Sequence, residues 1–403
     1  MRLAFDTHKI DSTPYSFSLH KSVLDVAAEW SAIVPDKLFY SPKYLHFTES
    51  NTPKGMKMRY GLFHLDGQPV GTLIMQVKHI SLGESLTIEA KDESSVRSRM
   101  AKGLKSGIAK TISFDTLVVG NLLLTGQYSF YFKDKSVEFY KRFELVEQSL
   151  VLIKDLLGKE GIKIASVLMK DFYEYNAVSK SPHGKNCSFS ECKVQPDMVM
   201  GIREEWFDFE SYMSSLKSKY RVRIKRALKK AEAIERRALT LTELSAYQKR
   251  IHGLYLETAL KASFNLFILP EDYFLEMKKA LQDQFELVGY FLDGELIGYY
   301  TIIYDNDHVD AHFLGYDKDK NAIHQTYLNM LIDLLKDGIK SKAKHIHFSR
   351  TALEIKSSIG AQPEDMVFYL RSQRQWQNKY LLPKVLELMV PEEEWKPRSP
   401  FKD

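Results

Sequence analysis

The chain has 403 residues, of which 44% are hydrophobic and 27% are charged, and its formal net charge is +5. This composition is that of a globular protein, and it excludes collagen-like, mucin-like and disordered chains. The length predicts two domains. Because the net charge is small, an anionic partner would have to be met by a local basic patch.

The sequence shows no targeting segment and no metal motif. The N-terminal residues lack the apolar core of a secretory signal, and no run of about 18 apolar residues occurs. Cys187 and Cys192 have neither the spacing nor the partner histidines of a zinc site. We therefore expect free thiols, no metal and a cytoplasmic protein.

Two Asp-Gly hairpins reveal an internal repeat. The segment Phe63–Gly71 matches Tyr290–Gly298 at an offset of 227 residues. In each, an apolar strand runs into Asp-Gly, which favours a two-residue turn, and a second apolar strand follows. A strand, a helix and another strand are predicted after each hairpin. In the first copy they cover Leu117–Thr125, Ser136–Leu157 and Ile162–Leu168, and in the second Val309–Asp317, His324–Lys342 and His345–Ser349.

The repeat predicts a mixed α/β (α+β) protein with two similar domains. We place them at residues 1–200 and 201–380, with a C-terminal tail at 381–403. The first copy has about 35 extra residues between hairpin and strand. We interpret the part around Ser94–Lys105 as an inserted basic surface helix. The second copy is instead preceded by helices between Phe207 and Met277.

One of these helices is strongly basic and is predicted to run from Tyr212 to Arg237. Its apolar residues form a single stripe at helical spacing, and ten Lys or Arg lie between Lys217 and Arg237. The stripe consists of Leu216, Tyr220, Ile224, Ala227, Ala231 and Ile234. The basic surface is suited to tRNA, to a nucleotide-linked or lipid-linked phosphate, or to an anionic membrane face. A solvated surface without a ligand is the alternative.

Polar side chains alternate along the two later strands of the second copy. Alternation predicts one face with Asp310, His312, Leu314 and Tyr316, and another with His345, His347 and Ser349. His312 or Asp310 is a candidate base, and Tyr316 is a candidate proton donor to the leaving group. A structural role at the end of a sheet is the alternative. His345 and His347 lack a third metal ligand.

A second candidate set follows these strands. Arg350, Glu354 and Lys356 come after the last strand, where an arginine can clamp a carboxylate or phosphate and a lysine can supply a point charge. Ser349 and Asn321 complete this predicted substrate-binding or donor-binding set. The first copy has no corresponding acid-base set, so we expect that half to be structural or to bind substrate.

The order hairpin, strand, helix, strand resembles the GNAT N-acyltransferase fold, and its tandem arrangement resembles FemAB-like enzymes. That group includes aminoacyl transferases of peptidoglycan synthesis and BioF-like acyltransferases. In the second copy, His312–Asp317, Phe348–Lys356 and Gly360–Ala361 resemble the group's strand, helix and terminal Lys-containing motif. The basic run Leu216–Arg226 resembles the helix that opens its second domain. The resemblance covers roughly residues 35–372.

The resemblance implies two tandem GNAT-like domains, each a mixed twisted sheet flanked by helices. It implies direct attack of an amine on an acyl donor, with acetyl-CoA or another acyl-CoA as donor and no metal. The acceptor would be a small molecule or a cell-wall precursor. The segment Asp317–Gln325 lacks the glycine pair of the usual phosphate loop. Aminoacyl-tRNA, bound through the basic helix, is therefore an alternative donor, and a non-catalytic binding protein is a third hypothesis.

Overall fold

The computed structural model describes residues 6–81, 113–260, 266–372 and 395–402. The predicted basic insertion around Ser94–Lys105 lies outside the described residues, as does most of the predicted tail. Contacts divide the chain into two compact units. The first consists of Met1–Val194, Ser263–Ile268 and Met366–Pro391, and the second of Gln195–Ala262, Leu269–Asp365 and Glu392–Asp403.

The first unit is built on a mixed sheet. Its strands are β1 His8–Lys9, β2 Tyr15–His20, β3 Met56–Leu65, β4 Gln68–Ser81, β5 Ser113–Val119, β6 Phe130–Phe132 and β7 Ile164–Tyr173, and its helices are α1 Ala27–Ile33, α2 Pro42–Ser50 and α3 Phe139–Lys159. Strands β1 to β5 pair in sequence order, β7 follows β5, and β6 pairs with β4. The β5–β7 pair is parallel, and the other pairs among these strands are antiparallel.

The second unit repeats this plan. Its strands are β8 Ser190–Gly201, β9 Glu235–Ala238, β10 Phe285–Leu292, β11 Glu295–Asp305, β12 His308–Tyr316 and β13 His345–His347. The last strand, β14 Gln362–Ser372, pairs with β7 of the first unit from Met366 onward. The helices of the second unit are α4 Phe209–Ser215, α5 Ser218–Lys230, α6 Leu241–Ala259, α7 Tyr273–Leu281, α8 Lys318–His324, α9 Thr326–Lys340 and α10 Leu353–Ser357. The strand order is β8-β13-β12-β11-β10-β9. Here β12 and β13 form the parallel pair.

The Asp-Gly turns of the repeat are confirmed. Asp66 and Gly67 have φ of 50° and 73°, and Asp293 and Gly294 have φ of 52° and 81°. Two consecutive residues with positive φ are what a two-residue hairpin of matching twist requires. Each turn joins a pair of long antiparallel strands, β3–β4 and β10–β11. The predicted mixed α/β fold class is confirmed as well.

The single basic helix predicted over 212–237 is wrong. Leu216 and Lys217 adopt extended backbone conformations, which separate α4 from α5. Leu216 bridges to Phe401 instead of continuing the helix. Beyond α5 the chain becomes β9, which pairs with the edge strand β10. Pairing with distant strands thus outweighs the helical periodicity of the sequence. The prediction that Leu216, Tyr220 and Ile224 are buried is confirmed.

Helices cover both faces of the strands of the second unit. On one face, α9 packs through Gly338 against Ile346 of β13, where an added methyl group would lie 2.4 Å from the Ile346 side chain. On the other face, α6 approaches β12 at Gly315, and Phe274 of α7 packs against Tyr299 of β11 with ring centroids 5.5 Å apart. The candidate site lies at strands β12 and β13, between the helices that cover the two faces.

Replacing Gly315 with alanine should destabilise the second unit. The new methyl carbon would lie 2.6 Å from the backbone carbonyl carbon of Leu254, so α6 would have to move, at a cost of about 2 to 3 kcal/mol in unfolding free energy. Gly253→Ala, on α6 with open space around it, should instead stabilise the protein by about 0.5 to 1 kcal/mol. Urea unfolding followed by circular dichroism measures both. Equal losses in the two variants would contradict the close approach.

Candidate functional site

The parallel strands of the second unit part from each other. Strand β12 pairs with β13 over three positions, the last of which places Asp310 opposite His347. Strand β12 then continues to Tyr316 along β11 alone. The hydroxyl of Ser349 donates to the carbonyl of Ala311 at 3.2 Å, just past the last pair. A cleft therefore opens between the ends of the two strands, which we call the β12–β13 cleft.

Strand β12 also contains a β-bulge. Between Ala311 and Leu314 it has one residue more than β11 opposite. The hydroxyl of Thr301 on β11 fills the gap, because it accepts from the Phe313 N–H at 2.9 Å and donates to the Phe313 carbonyl at 2.8 Å. A bulge inverts the alternation of side chains beyond it.

The bulge separates two residues that alternation placed together. His312 lies on the face covered by α7, where its Nε2 is 3.0 Å from the hydroxyl of Tyr273. Tyr316 lies on the opposite face, with its ring centroid 5.7 Å from that of Tyr327 on α9. The prediction that Asp310, His312 and Tyr316 share one face is therefore wrong for Tyr316, since strict alternation does not hold across a bulge.

His312 is held as a neutral side chain. Burial lowers its pKa to about 3. Its ring stacks on that of Tyr273, with centroids 6.0 Å apart, and shares a hydrogen bond with the Tyr273 hydroxyl. A group with so low a pKa is a weak base at neutral pH. The hydrogen bond to Tyr273 instead fixes His312 as part of the cleft wall.

His347 carries a positive charge beside a buried carboxylate. Its Nδ1–H donates to Oδ2 of Asp197 on β8 at 2.9 Å, and Asp197 is fully buried. Burial opposes the charge on His347, but the hydrogen bond to Asp197 and the charges of Asp310, Asp197 and Glu364 outweigh it and raise the pKa of His347 to about 9. The other carboxylate oxygen of Asp197 has no hydrogen-bond partner among the described residues.

Sequence reasoning missed Asp197, although a signal was present. The residue lies within a strand that ends in the apolar run Met198–Met200. Aspartate is almost never fully buried unless it is paired. A carboxylate in such a strand therefore indicates a buried partner, but the sequence does not say that this partner is His347, 150 residues away.

Lys356 is a second buried titratable group near the cleft. It is 3% exposed, and its Nζ donates to the carbonyls of Ser349 at 3.1 Å and Arg350 at 2.6 Å. Burial lowers the pKa of Lys356 to about 7, against the opposing effect of Asp197. A neutral amine has two N–H groups, enough for both carbonyls, and its lone pair then remains available.

The turn that Lys356 holds is strained. Ser349, Thr351 and Ala352 have φ of 60°, 67° and 47°. Each such residue costs of the order of 1 kcal/mol or more and persists only where the surroundings fix it. The two hydrogen bonds from Lys356 supply part of that fixation, and they bring Ser349 and Arg350 of the predicted set to the end of the β12–β13 cleft.

The remaining predicted residues lie elsewhere. Glu354 is exposed on α10 and pairs with Arg398. Asn321 caps a helix, because its side-chain oxygen accepts from the Tyr327 N–H at 2.8 Å at the start of α9. At the start of α8, Asp317 accepts from two backbone N–H groups at 2.9 and 3.0 Å. Both helix N-termini that follow β12 thus have side-chain caps from within the chain.

Comparison with known proteins identifies the fold. No family model matches the sequence, and no curated protein matches it. Among solved structures, FemX aligns with a TM-score of 0.51 at 12% identity, over 90% of this chain and 98% of that chain. A tandem GNAT protein from the clavulanic acid biosynthesis pathway aligns with a TM-score of 0.50 at 9% identity, over 89% of this chain and 98% of that chain. The chain has a FemAB-like, tandem GNAT fold. Identities this low show the fold alone.

The two GNAT-like units differ at their parallel strands. In the first unit, β5 and β7 pair from Asp115 opposite Ile164 to Val119 opposite Met169, and β5 ends at that last pair. There it is the second strand of the parallel pair, β7, that continues, to Tyr173 along β14; in the second unit it is the first strand, β12. The candidate residues Lys356 and His347, whose pKa values are shifted, lie at the parted strands of the second GNAT-like unit.

Among its described residues, the first GNAT-like unit contains one group with metal-ligand chemistry. Glu147, His183 and Cys187 bring one ligand atom each within 4.8 Å of one another. The carboxylate of Glu147 is already engaged, by His183 Nε2 at 2.7 Å and by the Ser188 N–H at 3.0 Å. Burial raises the pKa of Cys187 to about 11, so the sulfur is a thiol. The group therefore fits a hydrogen-bonded buried network better than a metal site.

The described helices are all too short or too polar to cross a bilayer.

Proposed function

We propose that the protein is an N-acyltransferase whose reaction takes place in the second unit, at the β12–β13 cleft. One observation carries the proposal. Two groups beside the cleft, the buried Lys356 and the half-buried His347, have pKa values shifted in opposite directions, Lys356 down to about 7 and His347 up to about 9. Opposite shifts in one site are how a protein assigns a base and an acid at neutral pH.

The proposed reaction is a direct attack. Neutral Lys356 removes a proton from the acceptor amine, and the amine nitrogen then forms a bond to the acyl carbonyl carbon of the donor. As the tetrahedral intermediate collapses, the carbon–sulfur or carbon–oxygen bond breaks, and charged His347 gives a proton to the leaving group. Asp197 holds the charged form of His347. The reaction needs no covalent enzyme intermediate.

These roles revise those expected from the sequence. His312 and Asp310 were the expected bases, and Tyr316 the expected acid. In the proposal, Asp310 stabilises the charge on His347, and neutral His312 lines the cleft. The proposal keeps Ser349 and Arg350 as substrate-binding residues, and the hydrogen bonds from Lys356 to their carbonyls support this.

Acetyl-CoA or another acyl-CoA is the first donor that the GNAT fold suggests, with an amine of a small molecule or a cell-wall precursor as acceptor in the cytoplasm. Aminoacyl-tRNA is the second candidate, and the helix caps favour it. In the usual GNAT mode the CoA pyrophosphate rests on the helix end that follows the strand. Here Asp317 and Asn321 cap the helix ends after β12, and a carboxylate repels phosphate. The basic segment around α5 is the tRNA-binding surface in this alternative.

Calorimetric titration with acetyl-CoA, longer acyl-CoAs and aminoacyl-tRNA tests the proposal. We expect one donor class to bind, and its acyl group to reach hydroxylamine, supplied as a small amine acceptor, with release of free CoA or deacylated tRNA. Lys356→Met should bind that donor but transfer its acyl group about 10² to 10⁴ times more slowly. If neither donor class binds or reacts, the proposal is wrong and the non-catalytic hypothesis stands.

A further inference from the structure

Helix α5 presents an unbroken basic face. Between Ser218 and Lys230 the helix has no acidic residue. Six of its cationic side chains are exposed: Lys219, Arg223, Lys225, Arg226, Lys229 and Lys230. We call these six residues the α5 basic face. At 1.5 Å per residue, the face is about 17 Å long.

The positive charges of the α5 basic face are not balanced by ion pairs within the described ranges. None of its six residues forms an ion pair with a carboxylate in the ranges that the structure describes. The buried residues Ile224 and Ala227 anchor the helix to the core of the second unit, and Tyr220 is buried as well. The helix therefore cannot rotate its cations toward acidic groups elsewhere, and the face stays a fixed array of positive charge.

Exposed aliphatic side chains lie within and beside the cations. Val222 is 41% exposed and has Lys219, Lys225 and Arg226 as neighbours at helical spacing. Ile323 of α8 is 61% exposed. A hydrogen bond connects α8 to the C-terminal end of α5, between Nδ1 of His324 and the carbonyl of Lys230 at 2.8 Å.

This combination fits a lipid surface better than RNA. Single-stranded RNA binding pairs cations with exposed aromatic rings on which bases stack, but the aromatic residue of α5, Tyr220, is buried. A branched aliphatic side chain gains nothing from contact with phosphate. At an anionic bilayer, the same side chain leaves water while neighbouring cations meet the headgroups.

We propose that the α5 basic face, with Val222 and Ile323, docks the protein on the surface of an anionic lipid bilayer. The docking is peripheral, because α5 lies along the protein surface with its buried stripe turned inward. It uses none of the proposed catalytic residues, so a failure of the proposed catalysis leaves it intact; it conflicts only with the alternative in which α5 binds tRNA.

Sedimentation of the full chain with phosphatidylcholine vesicles, with and without phosphatidylglycerol, tests the docking. We expect binding only to the anionic vesicles and a decline with added salt. Lys225→Glu/Arg226→Glu/Lys229→Glu should lower the partition coefficient at least about hundredfold. The matched control, Lys37→Glu/Lys57→Glu/Lys249→Glu, changes the net charge equally at exposed positions outside α5 and should have a small effect.

Two further results decide between lipid and RNA. Val222→Ser/Ile323→Ser should weaken vesicle binding about tenfold and leave retention of bulk tRNA on filters unchanged. Three results would each overturn the proposal: equal binding to vesicles with and without phosphatidylglycerol, equal losses in the α5 and control variants, or tRNA retention that the α5 charge reversal abolishes while the protein does not sediment with anionic vesicles.

Discussion

Replacing Lys356 with methionine should slow acyl transfer by a factor of about 10² to 10⁴. In the wild type, the rate should rise with pH through about 7 as Lys356 loses its proton, and fall through about 9 as His347 loses its own. Methionine has no titratable group, so the rising limb should disappear from the pH profile of the residual activity. Single-turnover rates with the donor that binds measure both effects.

The stability of the same variant gives an independent check. The pKa of Lys356 is lower in the fold than the ordinary lysine value of 10.5, so the unfolded chain binds the extra proton between pH 7 and 10.5. Wild-type stability should therefore rise relative to Lys356→Met by about 1.4 kcal/mol per pH unit across that window. Glu354→Gln, on the same helix but exposed, should change neither rate nor slope. A variant that loses activity but keeps the rising limb would exclude Lys356 as the base.

Replacing Asp197 with asparagine should lower the pKa of His347 by about 1 to 3 units. The amide oxygen can still accept from Nδ1, so the ring stays in place, but the buried negative charge is gone and the cost of burying the imidazolium is no longer offset. The falling limb of the pH profile should move down by the same amount. NMR titration of the His347 ring protons and the pH profile measure the shift in two ways.

The linked effect on stability has the opposite sign from that of Lys356. The pKa of His347 is raised above its ordinary value of 6.5, so its pairing with Asp197 stabilises the fold fully below pH 6.5 and is lost as pH rises through about 9. The difference in unfolding free energy between the wild type and Asp197→Asn should therefore shrink by about 3 kcal/mol between pH 6.5 and about 9. Glu364→Gln is the control, since Glu364 is exposed and its charge contributes least. A falling limb that stays in place in Asp197→Asn would show that His347 is not the acid.

The fold could be read from the sequence because its signals are local. The Asp66-Gly67 and Asp293-Gly294 turns need positive φ at two successive residues, and few dipeptides other than Asp-Gly and Asn-Gly allow this readily. The apolar strands after each turn then fix the strand order. The ends of elements differ from the prediction: the strand predicted to reach Thr125 stops at Val119, because Gly120, with φ of 128°, turns the chain.

The site was only partly readable, for two physical reasons. Alternation assumes that every second residue of a strand lies on the same face. The bulge opposite Thr301 adds one residue to β12 and so places Tyr316 on the other face, although the apolar pattern of the sequence does not show the bulge. A pKa depends on burial and on neighbours distant in the chain. Nothing around Lys356 in the sequence shows that its amine is buried against two carbonyls.

The sequence by itself determined the duplicated α/β plan, the hairpin turns and the basic segment, because periodicity and turn chemistry act over a few residues. The tertiary structure alone decided which of the candidate residues meet. It buried Asp197 beside His347, moved Tyr316 and Asn321 away, and gave Lys356 a pKa near 7. Desolvation and pairing across 150 residues are properties of the packed chain, and no local pattern encodes them.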